Sequence, residues 1–415
     1  MHSHSHSISG AMSRPLVALF ACASGLSVAN VYYAQPLLDA LAADFAIGRA
    51  AIGGVITVTQ VGSVLALLLL VPLGDLLPRR RLMLLQLLAL TAALAGVSLA
   101  SNATALMMGM LAVGMLGTAM TQGLIAYAAS ASAESERGRV VGAAQGGVVA
   151  GLLLARALAG LIADIAGWRA VYATSALAMI AMAALLWRTL PMLPATARPL
   201  PYPQLIASMV TLLRSDRVLR VRGTIAMLMF AAFSILWSAL VLPLSAPPYN
   251  YSHTAIGAFG LVGLAGTLAA SRAGQWADRG WAQRTSAAGL LSILLAWVPL
   301  GLFGVGSGAI ALAALIVGIL ALDLGVQALQ VTNQSLIFRA SSEAHSRLVG
   351  CYMLFYAVGS GSGAIAATSV YEAAGWTGVC ALGGTVSAAA LLFWAATLRK
   401  PQCNPRGQVR HSDTN

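Results

Sequence analysis

This 415-residue sequence predicts an all-α integral membrane fold, with twelve transmembrane helices arranged as two six-helix bundles. Three observations carry that prediction. Hydrophobic residues make up 59% of the chain and charged residues only 9%, whereas soluble domains carry about 25% charged residues. The apolar residues fall into twelve stretches of about 20, the length a helix needs to cross the hydrocarbon core of a bilayer. The second half of the chain also repeats the first at a constant spacing. A soluble fold of this length would expose too much apolar surface to stay dispersed, and a single-span anchor on a large soluble domain fails for the same reason.

Residues 1–14, which include His2-Ser-His4-Ser-His6, read as a disordered leader; weak metal holding is the other reading of those histidines. The first apolar run begins near Pro15. It is about 20 residues long, lacks a cleavage pattern and is followed by many similar runs, so it reads as a retained helix and not a signal peptide. Further runs begin near Ala51, Leu82, Ala105, Val140 and Ala170, which makes residues 15–190 an N-terminal six-helix bundle. Residues 191–222 form a polar cytoplasmic linker, with Pro194, Pro199, Pro201 and Pro203 followed by Arg214, Arg217, Arg220 and Arg222. Runs from near Gly223, Thr254, Ser286, Ala309, Leu348 and Gly378 make residues 223–398 a second six-helix bundle, and 399–415 a cytoplasmic tail.

The net charge of +12 does not point to nucleic acid. Of the 24 basic residues, 23 are Arg, and they sit in short connectors. With both termini in the cytoplasm, 21 fall on the cytoplasmic side, Arg49 and Arg169 fall outside, and Arg156 alone falls within a helix. This is the positive-inside asymmetry of a multi-pass membrane protein. Trp168 and Trp376 fall at outer helix ends, as interfacial aromatics do. Four cysteines without paired or metal-ligand spacing exclude a disulfide framework and a zinc site.

Arg139-Val-Val-Gly142 recurs as Arg347-Leu-Val-Gly350, Gly151 as Gly359, Asp164 as Glu372, and Ala166-Gly-Trp168 as Ala374-Gly-Trp376, always 208 residues on. Six helices per repeat give both copies the same orientation. That is the parallel arrangement of a two-bundle transporter whose site lies between the halves near the midplane.

Two loops narrow the class. Pro72-Leu-Gly-Asp-Leu-Leu-Pro-Arg-Arg-Arg81 follows the second span, and Gly274-Gln-Trp-Ala-Asp-Arg-Gly-Trp-Ala-Gln-Arg284 follows the eighth. Each places an Arg six residues after an Asp. This signature resembles that of the major facilitator superfamily, and with the twelve spans and the repeat the resemblance covers nearly the whole chain. Asn30-Val-Tyr-Tyr-Ala-Gln-Pro36 and Asp323-Leu-Gly-Val-Gln327 look more narrowly like the bacterial arabinose-efflux and drug-efflux permeases. Against the antiporters of that branch, Arg-x-x-Gln-Gly in the fourth span reads Ala119-Met-Thr-Gln122-Gly123, and Gly-Pro in the fifth reads Ala155-Arg156.

Only Arg156 and Asp323 among the charged residues lie deep inside predicted helices. Facing lipid, either would cost about 2.5–3.5 kcal/mol or more, so each is expected to face a cavity or a partner. Asp323 reads as a proton-binding group tuned by Arg156, or as half of a static ion pair that holds helices together. Asp323, Gln327, Gln330 and Gln334 share one helical face, a polar stripe that needs water or solute. The resemblance places the first, fourth, seventh and tenth spans around a central cavity. It thereby adds Asn30, Tyr33, Thr118, Gln122, Ser234, Trp237 and Ser238 as lining residues, with interhelical hydrogen bonding as the competing role. Asp75 and Asp278 fall near the positive ends of the eleventh and fifth spans, where they would latch the cytoplasmic side shut together with Arg81, Arg279 and Arg284. The glycines of the fifth and eighth spans read as packing surfaces between the halves.

The resemblance implies a secondary transporter that moves a small organic solute across the inner membrane by alternating access, with proton-coupled efflux as its direction. Proton-coupled or facilitative uptake and a non-transporting membrane sensor or scaffold are the alternatives. No His lies within a span and no metalloprotease or hydrolase motif occurs, so no enzyme is expected. The only Lys is Lys400, which excludes a nucleotide-binding lysine loop. No cofactor, metal or nucleic-acid partner is expected. The expected partners are the bilayer, a small-molecule substrate and protons, for a monomer.

Overall fold

A computed structural model of the chain describes residues 13–132, 136–190, 201–263, 273, 276, 279–305, 308–340 and 345–398. The described residues are helical with no strand. Asp278, Gly274 and the tail lie outside them, as do nearly all of the leader and the side chain of Asp75.

The helices follow the apolar runs. In the first half they are α1 (Arg14–Tyr32), α2 (Leu38–Phe45), α3 (Gly54–Leu65), α4 (Arg79–Ser98), α5 (Ala103–Ala131), α6 (Arg137–Ala166) and α7 (Trp168–Thr189). The second half holds α9 (Arg217–Ala239), α10 (Val241–Ser245), α11 (His253–Val262), α12 (Ala282–Val305), α13 (Gly308–Ala340) and α14 (His345–Leu398). Among the described residues, ten helical segments are long and apolar enough to cross a membrane. The last covers 52 residues and is broken at Gly375, so it supplies the eleventh and twelfth spans, and α11 is the described part of the eighth. Asn102 caps α5 by accepting from the Ala105 amide, which explains the sharp start of the fourth span.

The repeat read from sequence has a structural cause at its clearest point. Gly167 and Gly375 both adopt positive φ, 81° and 60°, where the chain breaks between consecutive spans. Only glycine takes such a conformation without strain, so Ala-Gly-Trp is a turn device used once per half. The two tryptophans do not form an interfacial belt. Trp168 and Trp376 are buried, with Trp168 donating to Asp44 Oδ2 at 3.1 Å and Trp376 to the Leu300 carbonyl at 2.7 Å. Each indole N–H finds an acceptor inside the fold, as buried tryptophans usually do.

Packing within each half is equally regular. The fifth span lies on the first through Gly147 and Gly151, and an alanine methyl at Gly151 would stand 2.2 Å from the Gly25 carbonyl. The eleventh span lies on the seventh through Gly359 and Gly363, with Gly359 against the Met227 backbone. Gly147 and Gly151 therefore pack within one half, whereas Gly160 and Gly257 close the contact between halves: Gly160 meets His253, and Gly257 meets Arg156. Gly53 and Gly361 serve the other crossing between the halves, α3 against α14, where Thr57 Oγ1 donates to the Gly361 carbonyl at 2.7 Å.

The described contacts between halves gather towards the rim that carries the Trp168 and Trp376 turns. There His253 sets its two ring nitrogens 3.0 Å from Asp164 Oδ1 and 3.2 Å from Asp39 Oδ1. At the opposite, arginine-bearing rim the linker contains a helix that composition did not reveal, α8 (Tyr202–Ser215). Tyr202 of α8 donates to the Leu69 carbonyl in the first half, and the Met209 carbonyl accepts from Cys351 in the second, so α8 straddles both. A cavity of about 120 Å³ opens beside it, lined by residues including Arg79, Gln86, Gln122, Met209 and Arg347.

Candidate functional site

Arg156 sits in the middle of α6 and is 2% exposed. Its neighbours explain how a guanidinium is tolerated there. Nε donates to Gln35 Oε1 at 2.7 Å, where Pro36 has broken the first span and turned the preceding side chain inward. The guanidinium carbon lies 4.1 Å from the Trp237 ring centroid, 5.5 Å from Phe233 and 5.6 Å from Tyr32. Three ring faces thus take the place of water around the cation. Nη2 is buried and has no hydrogen-bond partner.

Asp323 lies on α13 within electrostatic reach of Arg156, 5% exposed, and its Oδ1 has no hydrogen-bond partner. The Trp237 indole lies beside it, but its N–H stops short of a hydrogen bond. The glycines of α11 let both charges approach the halves' interface. An alanine methyl at Gly263 would stand 2.5 Å from Asp323 Oδ2, and one at Gly260 would stand 3.3 Å from Arg156 Cβ and Cδ. The two charges therefore face each other across the α6/α11 contact, each with a dangling polar atom, and neither partners the other in a closed ion pair.

The remaining expected residues divide. Asn30 is fully buried, donates to the Leu26 carbonyl and accepts from Ser175 at 2.6 Å, so it binds the first span to the sixth. Tyr33 is buried near the same Ser175. Thr118 donates to Ser63 Oγ at 2.8 Å, between the fourth and second spans. Ser234 and Ser238 face each other at 3.5 Å along α9. Gln330 accepts from Tyr352, while Gln327 and Gln334 are half-buried. Gln122 lines the large cavity at the arginine rim. Arg81, Arg279 and Arg284 are exposed, and Arg284 stacks 5.7 Å from the Trp281 ring.

Gln35, Tyr32, Phe233 and Tyr356 belong to the site and were not expected there. The Tyr32 and Tyr356 hydroxyls bond to each other across the halves. Gln35-Pro36 was a usable signal, because Pro36 has no N–H to donate and interrupts the helix where Gln35 sits in a short 3-10 turn. Arg222 is a second surprise. Placed in the linker by composition, it lies in α9, which starts at Arg217, and is 6% exposed. It donates to Ser286 Oγ at 3.1 Å, Gln283 Oε1 at 3.1 Å and Asn333 Oδ1 at 3.5 Å, all neutral acceptors.

A small gap of about 10 Å³, room for about one water molecule, lies against Arg156, with Gln35, Pro36, Trp237, Leu240, Val241 and Ile256 as its other walls.

A family model described as Major Facilitator Superfamily matches residues 19–329. The chain is 40% identical over 385 residues to the uncharacterized transporter YgaY of Escherichia coli (strain K12), covering 92% of this chain and 95% of that protein. It is 31% identical over 405 residues to the Probable transporter SCO4007 of Streptomyces coelicolor, covering 95% and 89%. Among solved structures, a D-xylose-proton symporter superposes with a TM-score of 0.73 at 14% identity, covering 92% of this chain and 97% of that one. An auto inhibited POT family peptide transporter does so with a TM-score of 0.73 at 14% identity, covering 97% and 99%. At such identity these two likenesses concern the fold.

Proposed function

This chain belongs to the major facilitator superfamily, and from that premise we propose that it exports a small organic solute by proton-coupled alternating access, with Asp323 as the group that takes up and releases the proton. The observation that supports this reading is the pairing of buried, incompletely bonded Arg156 and Asp323 at the contact between the halves. A buried carboxylate with an unsatisfied oxygen is costly unless its environment changes during a cycle. Rocking of one half against the other changes it: α6 and α11 separate, water reaches Asp323, and its proton affinity moves with its surroundings.

In this reading the rim with the Trp168 and Trp376 turns faces outward and both termini lie in the cytoplasm. The compact contacts at that rim and the cavity at the arginine rim correspond to a state closed to the outside. Asp75 and Asp278 latch the cytoplasmic side in the opposite state, with Arg81, Arg279 and Arg284 in the same loops. The direction, efflux, follows the resemblance to efflux permeases carried by Asn30-Val-Tyr-Tyr-Ala-Gln-Pro36 and Asp323-Leu-Gly-Val-Gln327. The sign of coupling follows from the solute's charge: a cation competes with the proton for Asp323, whereas an anion binds with it.

The test is a solute screen in proteoliposomes with an imposed pH gradient and a lumenal pH dye. At least one solute should move protons in wild-type vesicles and none in empty ones. Solute-independent proton permeability, or flux indifferent to the gradient for every solute, contradicts the reading.

A further inference from the structure

A charged cluster away from Arg156 and Asp323 also joins the halves. His253 opens α11 in the second half, and both carboxylates that meet it belong to the first, Asp39 of α2 and Asp164 of α6. All three side chains are about one-quarter exposed. Asp164 does more than face the ring. Its Oδ1 accepts from the His253 amide at 3.0 Å and its Oδ2 from the Thr254 amide at 2.7 Å, so a carboxylate of one half caps a helix of the other.

That cap fixes the imidazole between its partners. Nδ1 stands 3.0 Å from Asp164 Oδ1 and Nε2 stands 3.2 Å from Asp39 Oδ1. A neutral imidazole has one N–H, so it could bond to one carboxylate only and would turn a ring lone pair on the other. The imidazolium donates to both. Two carboxylates beside one imidazole favour that charged form as well. The closed contact therefore contains a proton. The other titratable groups on the elements packed here are engaged elsewhere. Asp44 of α2 bonds to Trp168 and Arg169, Arg156 lies about two turns deeper along α6, Asp323 of α13 meets α11 at Gly263, and Tyr249 and Tyr251 of the preceding connector pack on each other. The turn Gln35–Leu37 and α10 carry no titratable group.

The other crossing between the halves, α3 against α14, is tied differently. Thr368 Oγ1 accepts from the Gly53 amide at 3.2 Å and donates to the Ala50 carbonyl at 2.9 Å, and Ser369 donates to the same carbonyl at 3.3 Å. Glu372, which the 208-residue repeat sets against Asp164, is exposed. Hydroxyls need no proton from solution to make these bonds, so the two crossings close the rim by unlike chemistry.

We infer that His253 is a second proton site, separate from Asp323, filled when the rim of the Trp168 and Trp376 turns closes and emptied when it opens. Opening draws α11 away from α2 and α6, and the imidazolium loses both acceptors. Above its ordinary value of about 6.5 the ring then gives its proton to water on the side that rim faces, and closing takes one back from the same side. The site moves no net proton across the membrane; it sets the pH below which the rim stays shut. This rests on the alternating-access reading above, because it needs a rim that opens.

The test uses the full-length protein in nanodiscs, isotope-labelled at the histidine ring nitrogens, with His253 assigned by its absence from His253→Gln. NMR counts the N–H groups on the ring. At about pH 7.5, where an ordinary histidine is about nine-tenths neutral, wild-type His253 should carry both protons. Asp39→Asn removes one of the two charges on the ring, and Gly257→Ala puts a methyl 2.2 Å from the Arg156 carbonyl and forces the contact apart. In each, the titration midpoint of His253 should fall by at least about one pH unit. Spin labels across the rim, at Ser101→Cys and Ile310→Cys, should show a closed-to-open ratio that falls about tenfold per pH unit above about 6.5 in wild type, the slope of one proton, and no slope in His253→Gln. A ring with one N–H at about pH 7.5 in wild type, a midpoint shared by wild type and Gly257→Ala, or an unchanged slope in His253→Gln overturns the inference and leaves transport coupled at Asp323 standing. Absence of flux for every solute in the proteoliposome screen removes the alternating-access reading, and with it the place of His253 in a cycle, whatever the ring's N–H count.

Discussion

Replacing Gly257 with alanine is the sharpest mechanical test of the contact between the halves. The added methyl would stand 2.2 Å from the Arg156 carbonyl oxygen, 2.8 Å from its carbon and 3.0 Å from Ala157 Cα. These are backbone atoms that no rotamer change can remove, and comfortable carbon contacts lie at about 3.5–4.0 Å. The fifth and eighth spans must therefore move apart by more than an ångström at this level. Overpacking of a tight contact costs about 1–3 kcal/mol. The clash exists only while α6 touches α11, so the state open at the Trp168 rim escapes it, and a penalty of about 2 kcal/mol shifts the equilibrium towards that state by about 30-fold. Gly160→Ala, with its methyl 2.1 Å from the His253 carbonyl, should act the same way. The double variant should give less than the sum, because one separation relieves both clashes. Gly142→Ala, with nothing within 4 Å, is the control. Spin labels at Ser101→Cys and Ile310→Cys in a cysteine-free background report the distance across the rim. A longer distance population in Gly257→Ala and Gly160→Ala, absent in Gly142→Ala, is expected. Unchanged distances in both, with the protein folded, would refute the claim that this contact holds the rim closed.

Three further outcomes follow from the same geometry. The Asp39 hydrogen bond, opposed by partial burial and helped by the charges of Asp39 and Asp164, pushes His253 up to about 9. Because the folded value is raised, the closure that His253 contributes is complete below its ordinary value of about 6.5 and is lost as the pH at this rim rises through about 9. The spin-label distance should therefore lengthen with alkaline pH in wild type, and His253→Gln should be long and independent of pH; a pH response that survives in His253→Gln contradicts this. Asp75→Asn or Asp278→Asn should weaken closure at the arginine rim, read as faster labelling of Gln122→Cys from that side, and unchanged labelling and transport rate in both would end the latch proposal. Membrane-impermeant thiol reagents should reach Ser101→Cys and Ile310→Cys from outside only, and labelling of either from the cytoplasm alone would overturn the orientation.

The parts of the fold that were legible in the sequence were those set by the solvent. Twelve apolar runs predict twelve crossings because hydrocarbon tolerates little else, and the helix starts differ from the expected ones by only a few residues. Gly167 and Gly375 were visible as a repeat because their backbone conformation admits no other residue. The site was half legible. Arg156 and Asp323 stand out because a buried charge is rare, but which helices surround them depends on packing between halves that one sequence does not encode locally. Asn30 and Thr118 carried the same polar signal as Trp237, yet the structure spends them on bonds to Ser175 and Ser63. A helical face is periodic and can be read; the identity of the neighbour it meets is not. Arg222 was hidden for a different reason, since four arginines in a row of connector residues masked the helix that begins at Arg217.

The central claim, that Asp323 couples solute movement to protons, is tested most directly by solute flux in proteoliposomes carrying Asp323→Asn, with and without a pH gradient, beside Arg156→Gln and the double variant. The account predicts that Asp323→Asn loses gradient-driven flux while solute binding and solute exchange at equal pH persist. Wild-type gradient-driven flux in Asp323→Asn would contradict it, as would a misfolded Asp323→Asn that Arg156→Gln restores, the signature of a structural ion pair.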